Sequence, residues 1–123
     1  MAYKKALIVG SNGMLGQAFV RQLKASNIEP IGIARSNANY CLDLINMEDL
    51  DKIIKESGSD FVINCAAIVS LKDCEDYPLM AKKINADLVN YLAKSCLNNS
   101  KKFIHISTDH YYLNDKKILH NEN

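Results

Sequence analysis

Three glycines three residues apart, Gly10-Ser-Asn-Gly13-Met-Leu-Gly16, carry the clearest chemical signal in this sequence. They follow a short apolar run, Lys5-Ala-Leu-Ile-Val-Gly10, and open a stretch in which Leu15, Phe19 and Leu23 recur every fourth residue. That context is a strand, a turn and a helix. The first glycine lets the chain leave the strand sharply. The second removes a side chain where a pyrophosphate must approach the backbone, and the third lets the helix pack close to the sheet. The helix N-terminus then offers unpaired N–H groups and the positive end of its dipole to phosphate. The expected contacts with a dinucleotide are Gly10, Asn12, Gly13, Met14, Leu15 and Gly16. The alternative is a glycine turn that holds no ligand. A Walker loop is excluded, because no Gly-Lys-Ser/Thr follows.

A second contact is expected where the next strand ends. An acidic residue there suits the ribose hydroxyls of NAD. This chain instead reads Ile33-Ala-Arg-Ser36. Arg35 can pair a 2′-phosphate, which favours NADP while leaving NAD possible; the alternative is a solvated arginine.

Nothing else forms a chemical constellation. Cys41, Cys65, Cys74 and Cys96 contain no Cys-x-x-Cys pair and no histidine at finger spacing, so no metal site is expected. Cys65 and Cys96 read as reduced core thiols of a cytoplasmic protein. His105 alternates with Ile104 and Ile106 and reads as a core histidine, while His110 and His120 fall in or near loops.

The elements that must position these residues alternate along the chain. Pro30–Ala34 is a second short strand, and 36–40 reads as loop. Asn46 looks like an N-cap, with Glu48 and Asp49 in the first turn, Met47, Leu50, Ile53 and Ile54 on one face, and Gly58 just past the end. Asp60–Ala67 is a third strand running into a loop. The longest helix is capped by Asp76 with Pro78 in its first turn, and Met80, Ile84, Leu88, Leu92 and Cys96 form its stripe. Lys102–Ser107 is a fourth strand, left by Thr108 and Asp109. Strands alternating with helices predict an α/β fold with helices on both faces of a parallel sheet. Right-handed crossovers favour a Rossmann-like three-layer arrangement with strand order 3-2-1-4.

Composition agrees with one domain. The 123 residues are 48% apolar and 24% charged, with a net charge of +1. No apolar run approaches the roughly 20 residues of a membrane span, and no signal-peptide core is visible. Neither nucleic acid nor a membrane is an expected partner.

Taken together, Gly10-Ser-Asn-Gly-Met-Leu-Gly16-Gln, Cys41-Leu-Asp43-Leu, Asn64-Cys-Ala-Ala67, Asn85-Ala86 and Ser107-Thr-Asp109 resemble the extended short-chain dehydrogenase/reductases, within them the dTDP-4-dehydrorhamnose reductase branch. The resemblance covers nearly the whole chain. It implies that Asp43 and Leu44 lie against the adenine, that Cys65, Ala66 and Ala67 line the cofactor, and that Thr108 is the catalytic hydroxyl polarising a sugar carbonyl. Bland alternatives stand beside these roles. Asp43 can form a turn, Thr108 and Asp109 can cap a loop, and Asn85 can pin its helix through a buried amide.

Two departures matter. Ile68-Val-Ser-Leu-Lys-Asp73 and His110-Tyr-Tyr-Leu-Asn114 differ from the family's usual residues at those places. The family's acid is a tyrosine with a lysine four residues later on a helix, which puts both side chains on one face. Tyr112 and Lys116 have that spacing but begin four residues after Thr108, in a segment without helical period, so they read as a coincidence. The expectation is therefore a partial NAD(P)-binding domain over 1–123, truncated before the later strands and the sugar-binding domain. Its partners would be a dinucleotide and, once completed, a nucleotide-linked keto-sugar. Self-association through the apolar edge at Phe103, Ile104 and Ile106 is also expected. The other readings are a non-catalytic dinucleotide-binding or regulatory module and a fragment of a nucleotide-sugar epimerase or dehydratase.

Overall fold

The computed structural model describes residues 4–66 and 75–106. At its centre is β1 (Lys4–Val9), parallel to β2 (Ile28–Ala34) on one side and to β4 (Phe61–Asn64) on the other. A two-residue strand, β3 (Tyr40–Cys41), lies outside β2, and β5 (Lys102–His105) lies outside β4. The order is β3-β2-β1-β4-β5, and every pairing is parallel. Parallel neighbours need crossover connections. These are α1 (Met14–Ala25) after β1, α2 (Glu48–Glu56) after β3, and α3 (Pro78–Lys82) with α4 (Leu88–Asn98) after β4.

The order begins 3-2-1-4, as expected, but its third strand is the short Tyr40–Cys41, which starts on the last residue of the expected loop 36–40 and was not expected as a strand. Phe61–Asn64, counted third in the sequence, is fourth, and Lys102–His105 becomes fifth. The reason is local. Once β2 is edged by two residues hydrogen-bonded through Leu42 N–H to Ala34 O (2.9 Å), the inner position beside β1 falls to Phe61–Asn64.

Alternation along β1 builds two layers. Leu7 and Val9 join Ile33, Leu50, Ile54 and Leu92 in the main core between the sheet and α2 and α4. Ala6 and Ile8 are equally buried on the other face, which α1 covers. Burying each such Leu or Ile stabilises the fold by roughly 1.5–3 kcal/mol. Between α3 and α4 the backbone widens into a π turn over Lys83–Asp87, with Leu88 N–H donating to Lys83 O. Ile84 and Leu88 still reach the core across it.

Two expected caps are displaced. Asn46 does not cap α2: its N–H donates to Asp43 O (2.9 Å), so it belongs to a turn, and the helix starts after Met47. Tyr77, rather than Asp76, precedes α3, with Pro78 opening it as expected. Gly58 does adopt the left-handed conformation past α2, at φ +72°. The two main-core helices are joined by a polar clamp. Ser95 Oγ donates to Asp51 Oδ1 (2.5 Å), Asn99 Nδ2 donates to the same oxygen (3.2 Å), and Lys55 Nζ lies 3.7 Å from Oδ2.

Candidate dinucleotide site

The glycine loop turns off β1 by lending two N–H groups to β2: Gly10 N and Ser11 N both donate to Ile33 O, at 2.9 and 3.1 Å. Gly10 sits at φ +84°, and a Cβ there would lie 2.9 Å from Ala66 N. Gly16 is buried one turn into α1, where a Cβ would stand 2.2 Å from Gly10 O. Both positions exclude a side chain because the chain's own backbone fills the space.

Gly13 is different. It is exposed, it precedes α1 in extended backbone at φ −73°, and among the described residues the one heavy atom within 4 Å of its would-be Cβ is Gly10 O at an ordinary 3.7 Å. The fold therefore does not need a glycine at this place. A glycine there leaves open the space in front of the helix N-terminus. That helix has no side-chain cap and no acidic residue in its first turn, so its positive end is uncompensated.

A cavity of about 230 Å³ opens beside this loop, lined by Gly10, Asn12, Gly13, Ala34, Arg35, Asp43, Leu44, Ile45, Met80 and Ile84. Six of these are expected cofactor residues, brought together from three separate segments. Asn12 ties two segments directly, its Nδ2 donating to Ser36 O. Arg35 is exposed at the cavity and makes no hydrogen bond or ion pair among the described residues, so its guanidinium is available to an anion. Asp43 does form a turn, its Oδ1 accepting Ile45 N–H at 3.1 Å, while still bordering the cavity. A larger hollow of about 510 Å³ lies between α1 and residues 37–39, and it shares only Asn12 with the expected set.

The remaining expected residues fall as follows. Met14 and Leu15 open α1 outside the cavity wall, and Met14 is 89% exposed. Cys65 and Ala66 follow β4, half-buried, with Ala66 against Gly10. Neither borders the cavity. Burial pushes the Cys65 thiol up to about 11, so it is neutral at physiological pH; the buried Cys96 is raised to about 11 for the same reason. Ala67, Thr108, Tyr112 and Lys116 lie outside the described residues.

Four wall residues were not anticipated: Ala34, Ile45, Met80 and Ile84. The last two belong to the apolar stripe of the long helical segment, whose period reveals a face but not what the face meets. Two other expectations are corrected. His105 is exposed rather than packed in the core, because among the described residues β5 is the edge of the sheet. Asn85 is exposed within the π turn, so it is not a buried amide. No metal-binding cluster and no helix long and apolar enough to cross a membrane occur among the described residues.

The profile of the RmlD substrate binding domain matches residues 4–122. The chain belongs to that family. A probable low-salt glycan biosynthesis reductase of Haloferax volcanii is 31% identical over 113 residues, covering 87% of this chain and 38% of that protein. The crystal structure of a dTDP-4-dehydrorhamnose reductase from Clostridium acetobutylicum is 36% identical, with a TM-score of 0.75, covering 85% of this chain and 36% of that one. The dTDP-4-dehydrorhamnose reductase of Bacillus anthracis, solved in complex with NADP, shares the fold at a TM-score of 0.77 and 24% identity, covering 89% and 38%. This RmlD-family chain thus spans well under half the length of these relatives.

Proposed function

We propose that this chain is the dinucleotide-binding portion of a reductase that acts on a nucleotide-linked keto-sugar, of the dTDP-4-dehydrorhamnose reductase type, with NADP as cofactor and NAD as a weaker substitute. The observation that carries the reading is the contrast among the glycines. Gly10 and Gly16 are required by neighbouring backbone, whereas Gly13 faces open space in front of a helix N-terminus. A glycine that the fold does not need is accounted for by a ligand that does need it.

In this reading the backbone of 10–13 and the start of α1 hold the pyrophosphate. Arg35 pairs the 2′-phosphate, and Leu44, Ile45, Met80 and Ile84 offer an apolar wall to the adenine. Asn12 fixes the distance between the phosphate loop and the Arg35 segment. Cys65, Ala66 and Ala67 line the route toward the nicotinamide, and Thr108 donates a hydrogen bond to the sugar carbonyl. When bound, the nicotinamide supplies the hydride. A cytoplasmic setting belongs to this proposal, as does self-association through β5, whose Ile104 is 43% exposed.

Titration calorimetry of the chain with NADPH and NADH tests the reading. NADPH is expected to bind, and more tightly than NADH. A natively folded chain that takes up neither would overturn it.

A further inference from the structure

Asn64 is the last residue of β4 and is fully buried. Its Oδ1 accepts the N–H of Ala66, two residues on, at 3.1 Å. Only the amide oxygen can accept that bond, so the orientation of the side chain is determined by chemistry: the NH₂ group points the other way. There it meets His105 Nδ1 at 3.2 Å, across the register that pairs Asn64 with His105. An NH₂ group only donates. Nδ1 must therefore carry a lone pair, and the proton of a neutral ring must sit on Nε2.

What this bond holds is the approach of β4 to the glycine loop. The three atoms nearest to a Cβ on Gly10 are Ala66 N, Cα and Cβ, at 2.9, 3.0 and 3.1 Å. A shift of Ala66 is thus a shift of the surface on which the first glycine rests. His105 itself is exposed, so core packing does not account for an imidazole at this place.

We propose that His105 is a positioning residue for the dinucleotide loop: its Nδ1 lone pair fixes the Asn64 amide, and that amide fixes Ala66 against Gly10. The effect on cofactor affinity rests on the function proposed above; the hydrogen-bond chain does not.

Two substitutions and one spectrum test it. In His105→Asn the amide oxygen stands the same number of bonds from Cα as Nδ1, so an acceptor is kept. In His105→Leu the acceptor is lost and a buried amide is left short of a partner. The leucine variant is expected to bind NADPH about tenfold more weakly and to lose hydrogen-exchange protection at Ala66, with the asparagine variant within about twofold of wild type. In the ¹⁵N spectrum of the ligand-free wild-type chain, His105 is expected as the Nε2–H tautomer. The Nδ1–H tautomer overturns the proposal, even if the leucine variant fails to fold. Equal loss in both variants, or full Ala66 protection in the leucine variant, overturns it too. If the wild-type chain binds no NADPH, the proposed function fails, while the tautomer and the Ala66 exchange still decide the role of His105.

Discussion

Gly16 and Gly10 are in such close apposition that a Cβ on the first would penetrate to 2.2 Å from the carbonyl oxygen of the second. The obstructing atoms are backbone, which cannot rotate aside. Gly16→Ala is therefore expected to lower stability by about 1–3 kcal/mol or more, because overpacking must be relieved by moving α1 off the sheet. Gly13→Val is expected to behave in the opposite way. Among the described residues its Cβ would meet no atom closer than 3.7 Å, and a valine before the helix costs about 1 kcal/mol of capping. The fold should survive while NADPH affinity is lost. Thermal unfolding by circular dichroism, with calorimetry on the same samples, separates the two. A Gly13→Val chain that still binds NADPH would put the pyrophosphate elsewhere.

Arg35 borders the cavity with no partner among the described residues. A charge-assisted bond to a phosphate contributes about 1.5–3 kcal/mol, or a factor of ten and above. Arg35→Ala is expected to weaken NADPH binding by at least that factor and to leave NADH nearly unchanged. An equal loss for both cofactors in calorimetry would reject a 2′-phosphate contact.

The clamp between α2 and α4 makes a prediction about acid. The Ser95 hydroxyl is the main influence holding the Asp51 carboxyl below its usual range, helped by Asn99 and Lys55 against the opposing push of desolvation. A depressed folded pKa means that ionised Asp51 favours the native state. That contribution is complete above the unfolded value of about 3.9 and is lost as pH falls through the lower folded value. Asp51→Asn should therefore melt below wild type at pH 7, with the gap closing toward pH 2. Superimposed melting curves at pH 7 would show that the clamp contributes nothing through charge.

The glycine loop and the helices were legible because their signals are local. Gly10, Gly13 and Gly16 mark a turn by spacing alone, and Leu50, Ile53 and Ile54 mark a face by period. Tyr40–Cys41 was not legible as a strand: two residues have no period, and their pairing with Ile33 and Ala34 is a tertiary event. The same limit applies to His105. Alternation tells which side of a strand a residue takes, but not whether anything covers that side. Met80 and Ile84 show it for helices, since one stripe serves both the core and the cavity wall. At Asn46 two local patterns competed, and the turn closed by Asp43 prevailed over the helix cap.

The 123-residue chain is expected to bind NADPH without turning it over. Reducing a carbonyl requires a proton for the developing alkoxide as hydride arrives, and a positioned acid contributes about 10²–10⁴-fold. A threonine such as Thr108 is a poor acid. Tyr112 begins only four residues after Thr108, which leaves little chain to bring its phenol from a helix to the same substrate atom. Substrate positioning adds several kcal/mol more in enzymes of any class, and the chain spans only 36% of the Clostridium acetobutylicum reductase. NADPH oxidation with dTDP-4-keto-sugars, compared between wild type and Tyr112→Phe, checks this. Turnover that disappears in Tyr112→Phe would make Tyr112 and Lys116 the working acid pair. Turnover that persists would place the acid at another residue of the chain.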